Sequence, residues 1–388
     1  MISFDNTEIA FRSKSGASLN RAYWLFRIIG NPLLVKLGKS FTMFALKLNL
    51  PVKGIIKRTI FSQFCGGENI TECSQTINQL AKFGIGTILD YSVEGKTKDE
   101  DFEATVNEII ATILSAAKHS SIPFAVFKVT GIAEFSILEK ANKNVNDLTD
   151  SERDGYQKIV TRVDKICNVA FEHKVPVFID AEESWIQDTI DTICLDMMRK
   201  YNRSECIVFN TLQMYRHDRL SFLKEMIVLA KEEGFHYGIK LVRGAYMEKE
   251  RDRAERFGYS SPIQPDKESS DQDFNLALGH ILENIGHLAL CAGTHNEKSS
   301  LLLTELIHRY GLEKNDKRVY FAQLLGMSDH ISYNLSDAGY NVAKYVPYGP
   351  VKEVMPYLLR RANENTSVAG QTGRELSLIM KEKKRRSA

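Results

Sequence analysis

The chain has 388 residues, of which 43% are hydrophobic and 26% are charged, close to the values of an average soluble globular protein. It can therefore bury a large core. Its length suits a (β/α)8 barrel, which usually takes about 250 residues, with an additional segment. The net charge of +2 does not indicate a polyanionic partner, so no nucleic-acid ligand is expected.

The cysteines are scattered single residues, with no CxxC pair and no histidine at zinc-finger spacing: Cys65, Cys73, Cys167, Cys194, Cys206 and Cys291. This pattern suits a reducing compartment and argues against a disulfide framework. The first residues lack the basic start and apolar stretch of a secretory signal. No run of about 18 uninterrupted apolar residues is present. We therefore expect a cytoplasmic protein without a signal peptide or a transmembrane segment.

Residues 1–83 contain few β-branched runs and predict a helical arm, in which residues 36–51 mix apolar and basic side chains at helical spacing. Ten basic residues and no acidic ones lie between positions 12 and 58: Arg12, Lys14, Arg21, Arg27, Lys36, Lys39, Lys47, Lys53, Lys57 and Arg58. A second basic run at residues 381–386 predicts a basic C-terminal tail. Two interpretations stay open for the arm: a surface that attracts anionic lipid, or helices that pack on the main domain with a basic exterior.

From residue 84 onward, short and nearly continuous apolar runs alternate with amphipathic stretches. The predicted strands are Ile85–Tyr91, Phe124–Thr130, Val175–Asp180, Cys206–Leu212, His236–Val242, Leu288–Gly293, Val319–Leu325 and Asn341–Val346. Continuous apolar runs are typical of strands that are covered on both faces. Eight strand–helix units predict an α/β protein with a (β/α)8 TIM-like barrel over residues 84–388.

The alternative fold is an open doubly wound sheet, which normally carries a glycine-rich turn after its first strand. Gly84 and Gly86 lie at the beginning of the first predicted strand instead, which favours the barrel. The predicted barrel helices are 101–119, 151–173, 183–201, 219–233, 272–285 and 299–310, with a shorter one at 74–82.

Functional residues of a barrel gather at the carboxyl ends of its strands. Polar residues occur at these ends in most of the predicted strands: Lys128, Asp180, Gln213, Lys240, Arg243, Thr294, His295 and Asn296. Charges at the ends of apolar strands are costly to bury unpaired. They therefore predict either a structural ring of ion pairs or a polar mouth for an anionic ligand. Beside Arg243, the small residues Gly244 and Ala245 would let a phosphate approach the backbone.

The helix predicted after the eighth strand carries Tyr357, Arg360, Arg361 and Glu364 at the spacing i, i+3, i+4 and i+7, which places them on one face. Two adjacent arginines beside a tyrosine suit a carboxylate, because each guanidinium bonds in a planar fork. The alternative is a solvated face with an internal Arg–Glu pair.

The sequence shows no metal-ligand spacing and no nucleophile motif, so no metal is predicted. Two chemical routes remain: a lysine Schiff base, or an anionic cofactor that performs the reaction. A lysine-dependent aldolase using Lys128 or Lys240 is therefore one alternative. A non-catalytic barrel that binds membranes or nucleic acid through residues 12–58 is another.

Several segments together resemble the proline dehydrogenase family, in its stand-alone type, over roughly residues 84–375. They are residues 178–184, 237–252, 293–296, 320–328 and 344–366. The resemblance implies noncovalent FAD and oxidation of L-proline to 1-pyrroline-5-carboxylate, with a hydride passing from C5 to the flavin N5. It further implies a quinone acceptor, peripheral contact with the inner membrane, and a separate pyrroline-5-carboxylate dehydrogenase as the next enzyme of proline catabolism.

By the same resemblance, Arg360 and Arg361 clamp the proline carboxylate with help from Lys128, and Asp180 fixes this clamp. The residues implied around the pyrrolidine ring are Leu324, Tyr345 and Tyr357, with Tyr246 nearby. The implied flavin contacts are Gln213, Lys240, Val242, Arg243, Gly244, Ala245, Thr294, His295, Asn296 and Glu364. Two departures affect this set: Lys240 stands where many relatives have Arg, and Met247 stands where bifunctional relatives have Trp. A hydroxyproline dehydrogenase on the same site is the closest alternative, but Tyr345 would fill the space of a 4-hydroxyl.

Overall fold

The sheet of the computed structural model is a closed barrel of eight strands in sequence order, which confirms the predicted fold class. The strands are β1 (Ile85–Tyr91), β2 (Phe124–Lys128), β3 (Val177–Asp180), β4 (Val208–Gln213), β5 (Tyr237–Val242), β6 (Leu288–Gly293), β7 (Val319–Leu324) and β8 (Val342–Tyr348). The structure describes residues 2–31, 33–36, 53–93, 97–367 and 371–387. Nearly all of the helical pattern predicted at 36–51 lies outside these residues.

The strand predictions were correct in number and differ from the structure only at some ends. The predicted bounds of β1 and β6 match the structure. Strand β2 ends at Lys128 rather than Thr130, because Val129–Gly131 turn into a 3-10 helix. Strand β8 runs two residues further than predicted, to Tyr348, and pairs in parallel with β1 along its whole length.

Helices cover the barrel and form the predicted N-terminal helical segment. They are α1 (Thr7–Ala10), α2 (Gly16–Ile29), α3 (Lys53–Ile56), α4 (Ser62–Phe64), α5 (Ile70–Ala81), α6 (Asp99–Lys118), α7 (Phe135–Lys143), α8 (Asp150–Glu172), α9 (Ser184–Tyr201), α10 (Arg219–Glu233), α11 (Met247–Phe257), α12 (Lys267–Glu283), α13 (Glu297–Arg309), α14 (Asp329–Asp337), α15 (Met355–Ser367) and α16 (Gln371–Ser387). A π-helical segment, Lys57–Phe61, joins α3 to α4.

Aromatic side chains fill the barrel interior near the amino ends of its strands. The rings of Phe124 and Phe178 stack with centroids 4.4 Å apart, and Phe209 and Tyr320 meet Phe124 edge to face at 5.6 and 4.9 Å. Such aromatic pairs stabilise the fold beyond the hydrophobic contribution of the apolar area that they bury. These rings therefore fill the interior near the amino ends of the strands, and polar side chains lie at the carboxyl ends.

The chain divides into two compact units, Met1–Glu94 with Gln323–Ala388, and Gly95–Ala322. In the first, the N-terminal helices share an apolar core with α15 and α16. Its buried members are Ala10, Phe11, Leu19, Ala22, Phe26, Ile29, Ile56, Phe61, Phe64, Cys65, Met327, Val351, Val354, Met355, Tyr357, Leu358, Leu378 and Ile379. The basic C-terminal run lies on α16, where Arg386 donates to the carbonyls of Phe11 and Lys14, at 2.8 Å each.

Within the described parts of the chain, no helix has both the length and the apolar character needed to cross a membrane.

Candidate active site

In the second unit, an ion pair joins the carboxyl ends of β3 and β5. The Lys240 ammonium lies 2.5 Å from the Asp180 carboxylate, and both side chains are about nine-tenths buried. Thr211 on β4 donates to the same carboxylate oxygen at 3.4 Å. Lys128 on β2 lies opposite Asp180 in the parallel register and is half-buried. The predicted charges at these strand ends are therefore brought together, with Asp180 and Lys240 paired.

Glu182, two residues beyond β3, is a buried acid for which the sequence predicted no role. Its carboxylate accepts hydrogen bonds from the backbone N–H of Thr130, at 3.0 Å, and from the Thr130 hydroxyl. Burial raises the pKa of Glu182 to about 7, against the opposing effects of Thr130 and Lys128. Gln213 donates to the Glu182 carbonyl at 2.7 Å. Glu182 can therefore exchange a proton near neutral pH.

Arg243, just after β5, is held by three side chains around the carboxyl end of β6. Its guanidinium donates to Asp271 at 2.5 Å, to the Thr294 hydroxyl at 2.7 Å and to the Ser299 hydroxyl at 2.9 Å. It also lies 4.3 Å from the Phe274 ring centroid. Burial lowers the pKa of Arg243, which Asp271 partly offsets. The cation is thus fixed in position beside the first turn of α13.

The amino end of α13 follows Thr294, His295 and Asn296 directly. The Asn296 side chain caps this helix by accepting from the Ser299 N–H at 3.1 Å, and the Thr294 hydroxyl accepts from the Asn296 N–H at 3.1 Å. A helix amino end beside a fixed cation suits a phosphate, because its backbone N–H groups and dipole both favour negative charge. His295 and Asn296 are half-buried and accessible in part.

The turn after β5 needs a glycine at position 244 because the Tyr215 ring packs against it. Gly244 has a φ of +132°, and an added Cβ would lie 2.5 Å from the Tyr215 ring. Gly244 and Ala245 are exposed, Val242 and Tyr246 are half-buried, and the Tyr246 carbonyl starts α11 by accepting from Glu250 at 2.9 Å. The glycine therefore makes room for Tyr215, and the exposed turn remains open to a ligand.

In the first unit, the last residue of β7, strand β8 and helix α15 carry the residues predicted around the substrate. Leu324 ends β7 and is half-buried, and Tyr345 on β8 is 9% exposed. The backbone N–H of Leu325 donates to the Tyr345 carbonyl at 2.8 Å. This bond holds the end of β7 against β8, so that Leu324 and Tyr345 lie on neighbouring backbone segments.

Helix α15 contains Tyr357, Arg360 and Arg361, as their helical spacing predicted. Tyr357 is 5% exposed and belongs to the apolar core of this unit, and Arg361 is 7% exposed. The Arg361 guanidinium lies 5.2 Å from the Tyr357 ring centroid, within reach of a cation–π interaction. Arg360 is half-buried. Glu364 lies on the same helix, and its side chain is outside the described residues.

Three partners of the predicted site residues were missed from the sequence: Glu182, Asp271 and Ser299. Asp271 lies inside α12 and Ser299 inside α13, where helical periodicity gives no sign of a contact with a residue after β5. In the described ranges, no group of three or more His, Cys, Asp or Glu side chains could hold a metal ion.

Eight parallel strands closed in sequence order, with helices between them, define the class of (β/α)8-barrel proteins. The family model described as proline dehydrogenase matches residues 73–374. The chain belongs to the proline dehydrogenase family and is an oxidoreductase of that family.

Curated relatives match along most of the chain. Proline dehydrogenase 1, mitochondrial, of Dictyostelium discoideum is 33% identical over 98% of this chain and 74% of its own length. The carbapenem antibiotics biosynthesis protein CarD of Pectobacterium carotovorum is 33% identical over 90% of this chain and 91% of its own. Hydroxyproline dehydrogenase of Xenopus laevis is 31% identical over 97% of this chain and 88% of its own length.

Among solved structures, proline utilization A of Bdellovibrio bacteriovorus superposes with a TM-score of 0.73. The match covers 94% of this chain at 21% identity and only 36% of that longer protein. At this identity the likeness supports the fold alone, and it agrees with the barrel described above.

Proposed function

We propose that this protein catalyses the FAD-dependent oxidation of L-proline to 1-pyrroline-5-carboxylate and passes the electrons to a quinone. The observation that carries the proposal is the pair Arg360–Arg361 beside Tyr357 on α15, in a chain of the proline dehydrogenase family. A carboxylate needs planar, fixed donors, and a ring needs an apolar wall. Helix α15 offers both on one face.

The substrate carboxylate is bound by Arg360 and Arg361 in this proposal. The cation–π contact between Arg361 and Tyr357, with 5.2 Å from guanidinium to ring centroid, restrains the guanidinium before a ligand arrives. Such restraint reduces the entropy lost on binding. Leu324 and Tyr345 then enclose the pyrrolidine ring, which fixes the orientation of its C5. Orientation of this kind can lower a barrier by several kcal/mol.

The second unit contains a set of groups that fits the phosphates and flavin ring of FAD. Arg243, the Thr294 hydroxyl and the amino end of α13 supply positive charge and N–H donors at one place. Gln213 and Lys240 lie at the ends of β4 and β5, where ring contacts are proposed. FAD, when bound, supplies the two-electron acceptor that no amino-acid side chain provides.

The proposed cofactor contacts are tested by Arg243→Ala. Loss of the guanidinium removes a charge-assisted contact with phosphate, so the ratio of flavin to protein after extensive dialysis should fall well below that of the wild type. Arg256→Ala, which removes an exposed arginine from α11, is the control. Equal flavin retention in wild type and Arg243→Ala would exclude this placement of the phosphates.

A substrate amine must lose its proton before a hydride can leave from the neighbouring carbon, because the electron pair of the nitrogen forms the C=N bond. Cations near the amine favour its neutral form. In the second unit, Glu182 can accept a proton near neutral pH, since its pKa is about 7.

The quinone acceptor leads to a proposal about membrane contact, because quinones are dissolved in lipid. Helix α2 exposes Arg21, Trp24, Arg27 and Ile28 along one face, with Trp24 57% exposed. Basic residues interleaved with an aromatic and an aliphatic side chain suit the surface of an anionic bilayer. Peripheral contact through α2 is therefore part of the proposal.

A lysine-dependent aldolase is disfavoured by the surroundings of Lys240. Schiff-base lysines are activated by an apolar pocket or by another cation. Lys240 instead lies 2.5 Å from the carboxylate of Asp180. A hydroxyproline dehydrogenase remains the second candidate, since a relative of that name is 31% identical along nearly the whole chain.

Turnover measured on the purified protein separates these candidates. The enzyme is supplied with L-proline and, in parallel, with trans-4-hydroxy-L-proline, together with an artificial electron acceptor. We expect kcat/KM for proline to exceed that for hydroxyproline roughly a hundredfold. A reversed ratio would assign the protein to hydroxyproline, and no turnover with either would refute the proposed function.

A further inference from the structure

A buried polar network in the first unit surrounds the β7 loop, which we define as residues 324–328. Lys344 on β8 is fully buried, and its ammonium donates to the carbonyls of Leu324, at 3.3 Å, and Met327, at 2.5 Å. It also lies 2.9 Å from the Asp329 carboxylate at the start of α14. One side chain thus binds both ends of the loop that begins with Leu324.

The network extends to both ends of the chain. Lys14, between α1 and α2, lies 3.1 Å from the second oxygen of Asp329. Glu375 on α16 accepts a hydrogen bond from the backbone N–H of Ser328, and its carboxylate lies 4.0 Å from His330. Gln63 on α4 donates to the Gly326 carbonyl at 2.8 Å. The N-terminal segment, β8 and the C-terminal helix therefore each bind the β7 loop or the residue next to it.

The loop needs this support because its backbone is locally unfavourable. Ser328 has a φ of +51°, which L-residues with a side chain rarely adopt, and Gly326 has a φ of +76°. At Gly326 an added Cβ would lie 2.0 Å from the Gln63 carbonyl oxygen. Such conformations persist only where surrounding contacts fix them.

The buried charges are costly and are compensated within the network. Burial alone would raise the pKa of Asp329, but Lys14 and Lys344 bring it below its ordinary range. Burial raises the pKa of Glu375, which favours its neutral form as a partner of Ser328. A packed apolar cluster could fill the same volume at no such cost, so the polar network calls for a reason beyond stability.

We infer that Lys344, Asp329 and Glu375 are positioning residues that set the specificity of the substrate site by holding Leu324 against the substrate ring. The inference rests on the proposed function, in which Leu324 and Tyr345 enclose the pyrrolidine ring. Lys344 precedes Tyr345 on β8, and the Tyr345 carbonyl binds the Leu325 N–H. Backbone and side chain of the same two β8 residues thus fix the loop that carries the second wall of the ring pocket.

The network should therefore affect the affinity for the substrate ring and have no effect on the affinity for the carboxylate. Two ligands separate these contributions: tetrahydrofuran-2-carboxylate, an unreactive ring analogue of proline, and acetate, which has the carboxylate only. Their dissociation constants are measured by calorimetry on the protein as purified. The variants are Lys344→Met/Asp329→Asn, which removes both charges together, Glu375→Leu, and the conservative Glu375→Gln, whose amide oxygen still accepts from Ser328.

We expect Lys344→Met/Asp329→Asn and Glu375→Leu to raise the Kd of the ring analogue about tenfold, the effect of a misplaced aliphatic wall, while the Kd of acetate stays within about twofold. KM for proline should rise more than kcat falls. Glu375→Gln should behave like the wild type. The control is Asn202→Ala, which removes a buried side chain that binds the Val208 and His236 carbonyls near the amino ends of β4 and β5. It should lower thermal stability without changing the ratio of the two dissociation constants.

The inference would be overturned if Lys344→Met/Asp329→Asn and Glu375→Leu both kept the wild-type ratio of the Kd of the ring analogue to that of acetate. It would also be overturned if Glu375→Gln behaved like Glu375→Leu. If the double variant does not fold, the two Glu375 variants decide alone. A wild-type protein that binds neither the ring analogue nor proline would refute the proposed function and the inference with it. If the wild type binds the ring analogue and the network variants keep its ratio of dissociation constants for the ring analogue and acetate, only the inference is refuted.

Discussion

Arg360 and Arg361 are the residues on which the proposed substrate binding depends most. Arg360→Met or Arg361→Met removes a charge-assisted hydrogen bond from a partly desolvated position, typically worth about 1.5–3 kcal/mol. We expect kcat/KM for proline to fall at least tenfold while the flavin content stays at the wild-type level, because the proposed flavin contacts belong to other residues. Steady-state kinetics together with the absorbance ratio of flavin to protein measures both effects. Wild-type kinetics in both variants would show that the clamp is misassigned.

Tyr345 is the residue proposed to exclude a hydroxyl from the substrate ring. Its side chain is 9% exposed on a strand that pairs fully with β1, so it has little freedom to move aside. We expect Tyr345→Ser to narrow the preference for proline over trans-4-hydroxy-L-proline, mainly by weakening proline binding through lost apolar contact. The ratio of kcat/KM for the two substrates measures the change. If this ratio were the same as in wild type, Tyr345 would not determine the preference between the two substrates.

Glu182 predicts a pH dependence of stability with a defined sign. The folded state holds a proton on this carboxyl up to about pH 7, whereas the unfolded state releases it near the ordinary value of 4.5. Because only the unfolded state ionises in this range, Glu182 lowers the free energy of unfolding increasingly as pH rises from 4.5 to 7, by on the order of 3 kcal/mol at most. We expect Glu182→Gln to gain stability relative to wild type over this range and to keep a constant advantage above it.

Denaturant unfolding at several pH values tests this expectation, with Glu152→Gln as a control of opposite sign. A side-chain hydrogen bond from Lys140 and the capping contacts of Thr149 lower the pKa of Glu152 to about 2. Glu152→Gln should therefore be less stable than wild type at neutral pH, with a difference that shrinks as pH falls below 4.5. A difference in stability between Glu182→Gln and wild type that does not change between pH 4.5 and 7 would show that the pKa of Glu182 is not raised in the folded state.

The positions of individual candidate residues were predictable where residue type and place in the chain sufficed. Helical spacing placed Tyr357, Arg360 and Arg361 together, and strand ends placed Lys128, Asp180 and Lys240. The partners were not predictable, because contacts such as Arg243 with Asp271 join residues 28 positions apart through the packing of α12. The raised pKa of Glu182 depends on burial, which its neighbours in sequence do not indicate.

At the scale of elements, the strands were predictable because each is covered on both faces and is therefore a continuous apolar run. Helix α8 was equally clear from its amphipathic periodicity. Helix α11 was missed, since its sequence MEKERDRAERF offers almost no apolar stripe. Its charges hold it instead: Glu250 accepts from the Ser184 backbone and hydroxyl, at 2.6 Å each, and Arg253 pairs with Glu139. Ionic side contacts of this kind leave no periodic pattern.

Helix α2 gives the prediction about membranes. Trp24→Glu places a negative charge in the middle of its exposed basic and apolar face, so binding to vesicles that contain anionic lipid should fall severalfold relative to wild type. Co-sedimentation with anionic and with neutral vesicles measures it. Asn107→Glu, which adds the same charge at an exposed position of α6, is the matched control. Equal and negligible binding of the wild-type protein to both vesicle types would refute membrane contact through α2.

For the molecule as a whole, the eight strand–helix units predicted a closed barrel, and the rings of Phe124, Phe178 and Phe209 pack against one another near the amino ends of their strands. The joint role of the two chain termini could not be predicted. Glu375 and Lys14 reach the network around Asp329 from opposite ends of the sequence, and such long-range pairing of charges is set by tertiary packing alone.

The central claim is that the protein oxidises proline with a flavin bound in its barrel, and anaerobic mixing of the purified protein with L-proline tests it most directly. We expect a yellow protein whose flavin absorbance in the visible range is lost on addition of proline and returns when a quinone is added, with 1-pyrroline-5-carboxylate formed in an amount equal to the flavin reduced. A colourless protein, or a bound flavin that keeps its absorbance in the presence of saturating proline, would contradict the account.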